Sequence, residues 1–197
     1  MPLPRCGSGW WHRAQADRVD VRLTRRDIGA PQEWGAPYLF GPEPDEYSRA
    51  LLFGADALLL GRKTYEGLSV AYTAMAAGEP GPMTDFVDAM NAIPKYVAST
   101  TLISVGWNAT LLGADVAAAV AELKKQSGKY LLKYGTGPLD RVLLRSGLID
   151  ELRIWIVPVT TGPGQRLFED VDDIGLTLRD TRTFPSGVVV LTYAPRT

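Results

Sequence analysis

Residues 57–66 read Ala-Leu-Leu-Leu-Gly-Arg-Lys-Thr-Tyr-Glu. The four apolar residues that end at Gly61 are too few for a helix and lack the alternation of a strand with one wet face. The run therefore predicts a strand buried on both faces, as in a parallel sheet covered by helices. A helix is expected to follow through Thr64 and Tyr65. Upstream, Tyr47, Ala50, Leu51 and Phe53 or Gly54 recur at helical spacing from Glu43, and Pro44 suits a first helical position.

The alternation continues downstream. Residues 76–82 are rich in Gly and Pro and read as an exposed loop, after which Thr84 caps a short helix toward Met90. Tyr96 and Val97, behind Pro94, predict a second core strand over 95–99, and residues 110–112 a minor third. Asp115 is a good N-cap for a helix whose Val116, Val120 and Leu123 share one face and which Gly128 ends. Residues 130–134 return as a strand, 138–146 as a helix closed by Gly147, and 152–159 as another strand. Such alternation implies right-handed crossovers. The end differs: 176–184 and 188–193 are strands joined by Pro185, Ser186 and Gly187, a hairpin. The expected architecture is α/β, a mixed and mostly parallel sheet with an antiparallel C-terminal hairpin and helices on its faces.

The 197 residues, 46% hydrophobic and 22% charged, suit one globular domain with a substantial core. No apolar run is long enough to span a bilayer, so no membrane partner is expected. A net charge of −1 supplies no positive field for nucleic acid. Cys6 stands alone and allows no intramolecular disulfide, which makes the cytoplasm the simplest address. With His12 as the one histidine, zinc sites and histidine-based triads are nearly excluded, and no metal is expected. Chemistry is expected to come from a cofactor that the protein binds and orients, and hydride transfer fits that division.

Residues 1–26 stand apart. Six arginines against Asp17 and Asp20 give this stretch a local charge of +4 and leave −5 for the rest. Without an apolar segment after its charges it is not a secretory signal. It is expected to be a poorly ordered leader, with Val19, Val21 and Leu23 permitting one short strand. The organised domain is placed at 27–197.

Three strand ends carry candidate binding residues. Gly61, Arg62, Lys63 and Thr64 place two cations at a helix start, where free N–H groups and the dipole favour phosphate. The segment is not a Walker A loop, because Asp56 stands where its first glycine would be. Gly135, Thr136, Gly137 and Leu139 follow the strand over 130–134, and the glycines let a phosphate approach the backbone. They make a poor Rossmann fingerprint, since its third glycine is Asp140. Ser99 and Thr100 offer hydroxyls after a further strand. Each alone fits a capped helix or an ordinary turn at least as well, but ligands of open α/β sheets collect at the carboxyl ends of strands, and three such sites there point to one ligand. Gly162 and Gly164 belong to a fourth loop that fits a substrate contact or a structural bend equally, and Trp34, with Pro37 and Tyr38, fits a wall for an aromatic substrate, although aromatics before a helix more often join the core.

In order, Gly61-Arg62-Lys63-Thr64-Tyr65-Glu66, Lys95-Tyr96-Val97-Ala98-Ser99, Tyr134-Gly135-Thr136-Gly137, Leu148-Ile149-Asp150-Glu151-Leu152 and residues 162–168 (Gly-Pro-Gly-Gln-Arg-Leu-Phe) resemble the dihydrofolate reductase-like family. The likeness is greatest to the reductase domain of the bifunctional riboflavin biosynthesis deaminase-reductase and its stand-alone bacterial relatives, and runs from about Trp34 to Tyr193. It implies a three-layer dihydrofolate reductase-like fold and a homodimer. NADPH would lie across the strand ends, with its adenosine phosphates near Arg62, Lys63, Thr64 and Ser99 and its pyrophosphate near Gly135, Thr136 and Gly137. The implied activity is reduction of a small heterocyclic or sugar-linked substrate, of the 5-amino-6-(5-phosphoribosylamino)uracil or dihydrofolate kind.

Two departures stand out. Relatives begin with a Ser-x-Asp-Gly-like segment beside the substrate, where this chain has Leu23-Thr24-Arg25-Arg26-Asp27, leaving Asp27 to stand in. Thr100 replaces an arginine that relatives offer to the cofactor 2′-phosphate, which opens the site to NADH. No side chain is singled out as catalytic. The alternative is a dinucleotide-binding protein that has lost catalysis.

Overall fold

The computed structural model describes residues 35–126, 128, 130–159, 168 and 173–196, and the backbone of 15–17 and 21–23. In chain order the elements are β1 (Gln15–Asp17), β2 (Val21–Leu23), α1 (Ala36–Leu39), α2 (Pro42–Gly54), β3 (Ala57–Gly61), α3 (Arg62–Ala76), α4 (Thr84–Ala92) and β4 (Lys95–Ala98). There follow β5 (Ala109–Leu111), α5 (Val116–Lys125), β6 (Tyr130–Lys133), α6 (Pro138–Arg145), β7 (Leu152–Ile156), β8 (Leu176–Thr183) and β9 (Val189–Pro195).

The apolar run of β3 is buried on both faces, and its alternation divides the core. Leu59 faces Val120 of α5, Leu139 and Leu143 of α6, Leu131 of β6 and Leu152 of β7. Leu58 and Leu60 face Leu51 and Leu52 of α2, Tyr65 of α3, and Phe86 and Met90 of α4. Helices thus cover both faces of a central β layer, which makes three layers.

Backbone pairing forms two ladders. One runs β1-β6-β3-β4-β5 and is parallel throughout; the other runs β2-β7-β9-β8, parallel only between β2 and β7. The expected single mixed sheet is therefore divided, because β6 and β7 take their pairing from separate three-residue segments, β1 and β2. Leu131 and Leu152 share one core across the division.

Of the expected leader, two segments are strands: β1 registers Ala16 against Leu131, and β2 registers Arg22 against Trp155. The alternation of Val21 and Leu23 announced β2, whereas Gln-Ala-Asp in β1 carries no apolar pattern and gave no signal. Pro42, not Pro44, takes the first helical position of α2. The strand expected over 152–159 ends at Ile156, and α1 was unexpected, a single turn being too short for periodicity to register. Among the described residues no helix is long and apolar enough to cross a membrane.

Lys95 opens β4 with 1% of its surface exposed. Its ammonium donates to Asn91 O at 3.2 Å and Ile93 O at 2.6 Å, at the negative end of α4, and lies 4.1 Å from the centre of the Trp107 ring. Burial pushes its pKa down to about 8 from 10.5. Between those values the unfolded chain binds more protons than the folded one, so this group makes stability rise with pH across the window. Urea unfolding of wild type and Lys95→Met should show a stability gap that changes in favour of wild type between pH 8 and 10; a constant gap would contradict the burial argument.

Candidate functional site

The three sequence-predicted loops leave one edge of the first ladder. β6, β3 and β4 are adjacent and parallel, with Leu59 registered against Lys133 and Gly61 against Ala98. Residues 61–64, 99–100 and 135–137 therefore follow three neighbouring carboxyl ends, where open α/β sheets place ligands.

At the middle strand, Gly61 is the N-cap of α3, with extended backbone and no side-chain cap among the described residues, and the first turn holds no acid. Its first N–H groups are left for water or an anion. Arg62 spends its guanidinium on Glu66, donating to the two carboxylate oxygens at 3.0 and 3.1 Å. Lys63 is exposed and forms no ion pair among the described residues. It is the freer of the two cations.

The glycine turn after β6 touches this helix start. Gly135 has φ +75°, and a Cβ there would lie 2.5 Å from Thr64 Oγ1, so both backbone conformation and space demand glycine. Gly137 is extended, and a Cβ there would meet nothing within 4 Å. Its N–H is already taken, donating to Asp140 Oδ2 at 2.7 Å. Asp140 Oδ1 lies 2.7 Å from Lys133 Nζ, and that ammonium also donates to Gly135 O at 2.8 Å. Both partners are buried, at 5% and 4% exposure. An ion pair beneath the turn thus holds it at both ends.

These positions divide by what they offer a ligand. Gly61, Arg62, Lys63, Thr64, Gly135 and Thr136 present backbone or cationic groups at one place, while Gly137 contributes open space. Leu139 belongs to the core, so only its backbone is available. Ser99 Oγ accepts from Thr101 N at 3.2 Å and Leu102 N at 3.0 Å, which commits it to shaping its own turn, while Thr100 is exposed. Asp27, Trp34, Gly162 and Gly164 lie outside the described residues. Tyr38 packs with Val159 against a cluster formed by Leu39, Trp155, Val157, Phe184, Val188 and Val190.

Sequence reasoning missed the Lys133–Asp140 pair. Asp140 counted only as a residue that spoiled a glycine fingerprint, although an acid three residues after a candidate N-cap is a capping-box signal. Lys133, in an apolar strand, was the other half of the clue.

Residues 27–190 match the model of the RibD C-terminal domain. An uncharacterized Bacillus subtilis protein, YyaP, is 34% identical over 152 residues, covering 77% of this chain and 80% of that one. In fold, the chain is similar to a Shewanella sp. PV-4 protein described as a putative riboflavin biosynthesis protein (TM-score 0.70, 19% identity, 93% of this chain and 100% of that one). It also resembles an Enterococcus faecalis dihydrofolate reductase solved with NADP(H) (TM-score 0.56, 14% identity, 94% and 99%). Against the Thermotoga maritima diaminohydroxyphosphoribosylaminopyrimidine deaminase/5-amino-6-(5-phosphoribosylamino)uracil reductase the TM-score is 0.61 at 11% identity. There the match takes in 93% of this chain and 57% of that bifunctional one.

Removing one member of the buried pair strands the other. Asp140→Ala should destabilise the fold by about 3–5 kcal/mol in urea, and Lys133→Met with Asp140→Leu should recover most of it. Equal stabilities of the single and double variants would refute the role given to the pair.

Proposed function

The chain belongs to the RibD C-terminal domain family, a family of reductase-like proteins, and from that footing we propose that it is an NADPH-dependent reductase of a small heterocycle. The favoured substrate is a pyrimidine of the 5-amino-6-(5-phosphoribosylamino)uracil kind, with a dihydropteridine second. The observation that carries this reading is the uncapped start of α3 meeting the Gly135 turn at one sheet edge.

The residues present fit such a cofactor. The amides of Arg62, Lys63 and Thr64, with the Lys63 ammonium, suit its adenosine phosphates; those of Gly135 and Thr136 suit its pyrophosphate. Gly137 leaves the room that a phosphate needs, and Ser99 and Thr100 stand toward the adenosine ribose. When bound, the dinucleotide supplies the hydride for an electron-poor ring or carbonyl. The chain's part is to orient the reactants, a contribution that can supply much of the rate. Thr100 offers no cation to a 2′-phosphate, so any preference for NADPH over NADH rests on Arg62 and Lys63. For Arg62 that means leaving Glu66.

Two copies are proposed to pair. β8 is the outer strand of the second ladder, unpaired along one side among the described residues, and Leu178 on it is 51% exposed. Such an edge favours association. Light scattering should give twice the chain mass.

Calorimetry with NADPH and NADH tests the cofactor claim. Wild type should bind, and Lys63→Ala and Gly135→Val, each checked for folding by circular dichroism, should bind at least about tenfold more weakly, near 1.4 kcal/mol. Oxidation of NADPH in the presence of a pyrimidine or pteridine should follow. Binding without oxidation of NADPH by any of them would leave a dinucleotide-binding protein, and no binding by folded wild type would sink the proposal.

A further inference from the structure

Trp107 and Asn108 stand side by side in the left-handed region, with φ 55° and 52°, and no other non-glycine residue among those described has a positive φ. An asparagine tolerates that conformation. For a bulky tryptophan it is a costly outlier, which persists only where its surroundings over-determine it. The pair forms the turn that leads into β5. Three contacts hold the Trp107 ring: its Nε1 donates to Asn91 Oδ1 at 2.6 Å, Tyr72 of α3 stacks on it with centroids 6.4 Å apart and planes at 16°, and the Lys95 ammonium lies 4.1 Å from its centre. Asn108 is tied by its side-chain amide, which donates to Ala92 O at 2.6 Å, and by its carbonyl, which accepts from Lys95 N at 3.0 Å.

Lys95 links these contacts to the end of α4. Asn91 receives both groups, the indole on its side-chain oxygen and the ammonium on its backbone oxygen, and Ile93 O accepts from the same ammonium. Burial alone pushes the Lys95 pKa down, to about 8. The ionisable groups around it are few. On α4, Asp85 and Asp88 are exposed, and Asp85 is paired with Arg49. On α3, Tyr65 and Tyr72 turn their rings toward Trp107. β3 and β5 carry no ionisable side chain, and Tyr96 of β4 packs in the other core. Of the contacts on the turn, only those of Lys95 depend on a charge. Without its proton the amine loses its attraction to the Trp107 ring and the charge assistance in its bonds to α4.

We propose that Lys95 is a pH-sensitive latch: while protonated, its ammonium holds the Trp107–Asn108 turn in the left-handed form, and loss of that proton lets the turn relax. The neighbour of the turn carries the effect outward. Gly106 donates its N–H to the Tyr65 hydroxyl at 2.9 Å, and that hydroxyl donates back to Gly106 O at 3.4 Å. Tyr65 follows Thr64 directly near the start of α3. A relaxed turn withdraws Gly106 from this hydroxyl, so the end of the β4–β5 connection stays tied to the start of α3 only while Lys95 is charged. The latch needs no ligand and stands apart from the cofactor assignment.

Carbon-detected NMR of the full chain, taken on either side of the Lys95 pKa of about 8, tests this without relying on amide protons. The Lys95 Cε shift reports the proton, and the Cα and carbonyl shifts of Trp107 and Asn108 report their backbone. In wild type the backbone carbons of both residues should leave their left-handed values with the same midpoint as Lys95 Cε, while those of the β8–β9 hairpin stay in place. Lys95→Met, checked for folding by circular dichroism, should show the alkaline values throughout. Titration of Lys95 Cε with the Trp107 and Asn108 carbons unmoved would overturn the proposal, as would movement with an unrelated midpoint. A folded Lys95→Met that keeps the left-handed values would overturn it too. If that variant does not fold, the two midpoints in wild type decide alone.

Discussion

The ion pair between Lys133 and Asp140 is the contact on which the shape of the site turns. It joins the last residue of β6 to the first turn of α6 across four residues of loop, in a place where neither charge reaches water. One ammonium holds the carbonyl of Gly135, and one carboxylate holds the amide of Gly137. The turn between them is thereby fixed in the conformation that brings Gly135 against Thr64. Buried pairs of this kind add little net stability over an apolar replacement, but losing one partner is severe. The pair sets geometry more than stability. A carboxylate of the chain already occupies the amide at Gly137, whereas the start of α3 has no side-chain cap among the described residues. The site has a polarity before any ligand arrives.

At the ends of β3, β4 and β6 the chain presents amides, hydroxyls and cations. The second ladder instead packs the rings of Tyr47, Trp155 and Phe184 on one another.

Most of the core could be read from the residues because the fold rests on short local patterns. The Ala-Leu-Leu-Leu run gave β3, Asp115 gave the start of α5, and Pro-Ser-Gly gave the hairpin turn. Asp115 does accept from the amide of Ala118, at 2.9 Å. The loops at the strand ends were visible too, since glycines and hydroxyls there mark where each strand stops. What stayed hidden depends on contacts between distant residues. Lys95 looked like an ordinary strand residue, and only the end of α4 and the face of Trp107 explain its burial. Trp155 was only one residue of an expected strand, and the structure adds that its N–H lacks a partner among the described residues. Ser99 counted as a hydroxyl after a strand, and the structure adds that its oxygen accepts from two amides of its own turn. Local pattern states which residues are near a strand end; it does not state which of their polar groups are already committed.

Central to this account is that the ends of β3 and β6 together hold the dinucleotide. Amide NMR of the folded chain during titration with NADPH tests this most directly. The account predicts that the largest shifts fall on the amides of Arg62, Lys63, Thr64, Gly135 and Thr136, while those of the β8–β9 hairpin stay in place. Saturable shifts centred on the hairpin, or none at residues 62–64 and 135–136 at saturation, would contradict it.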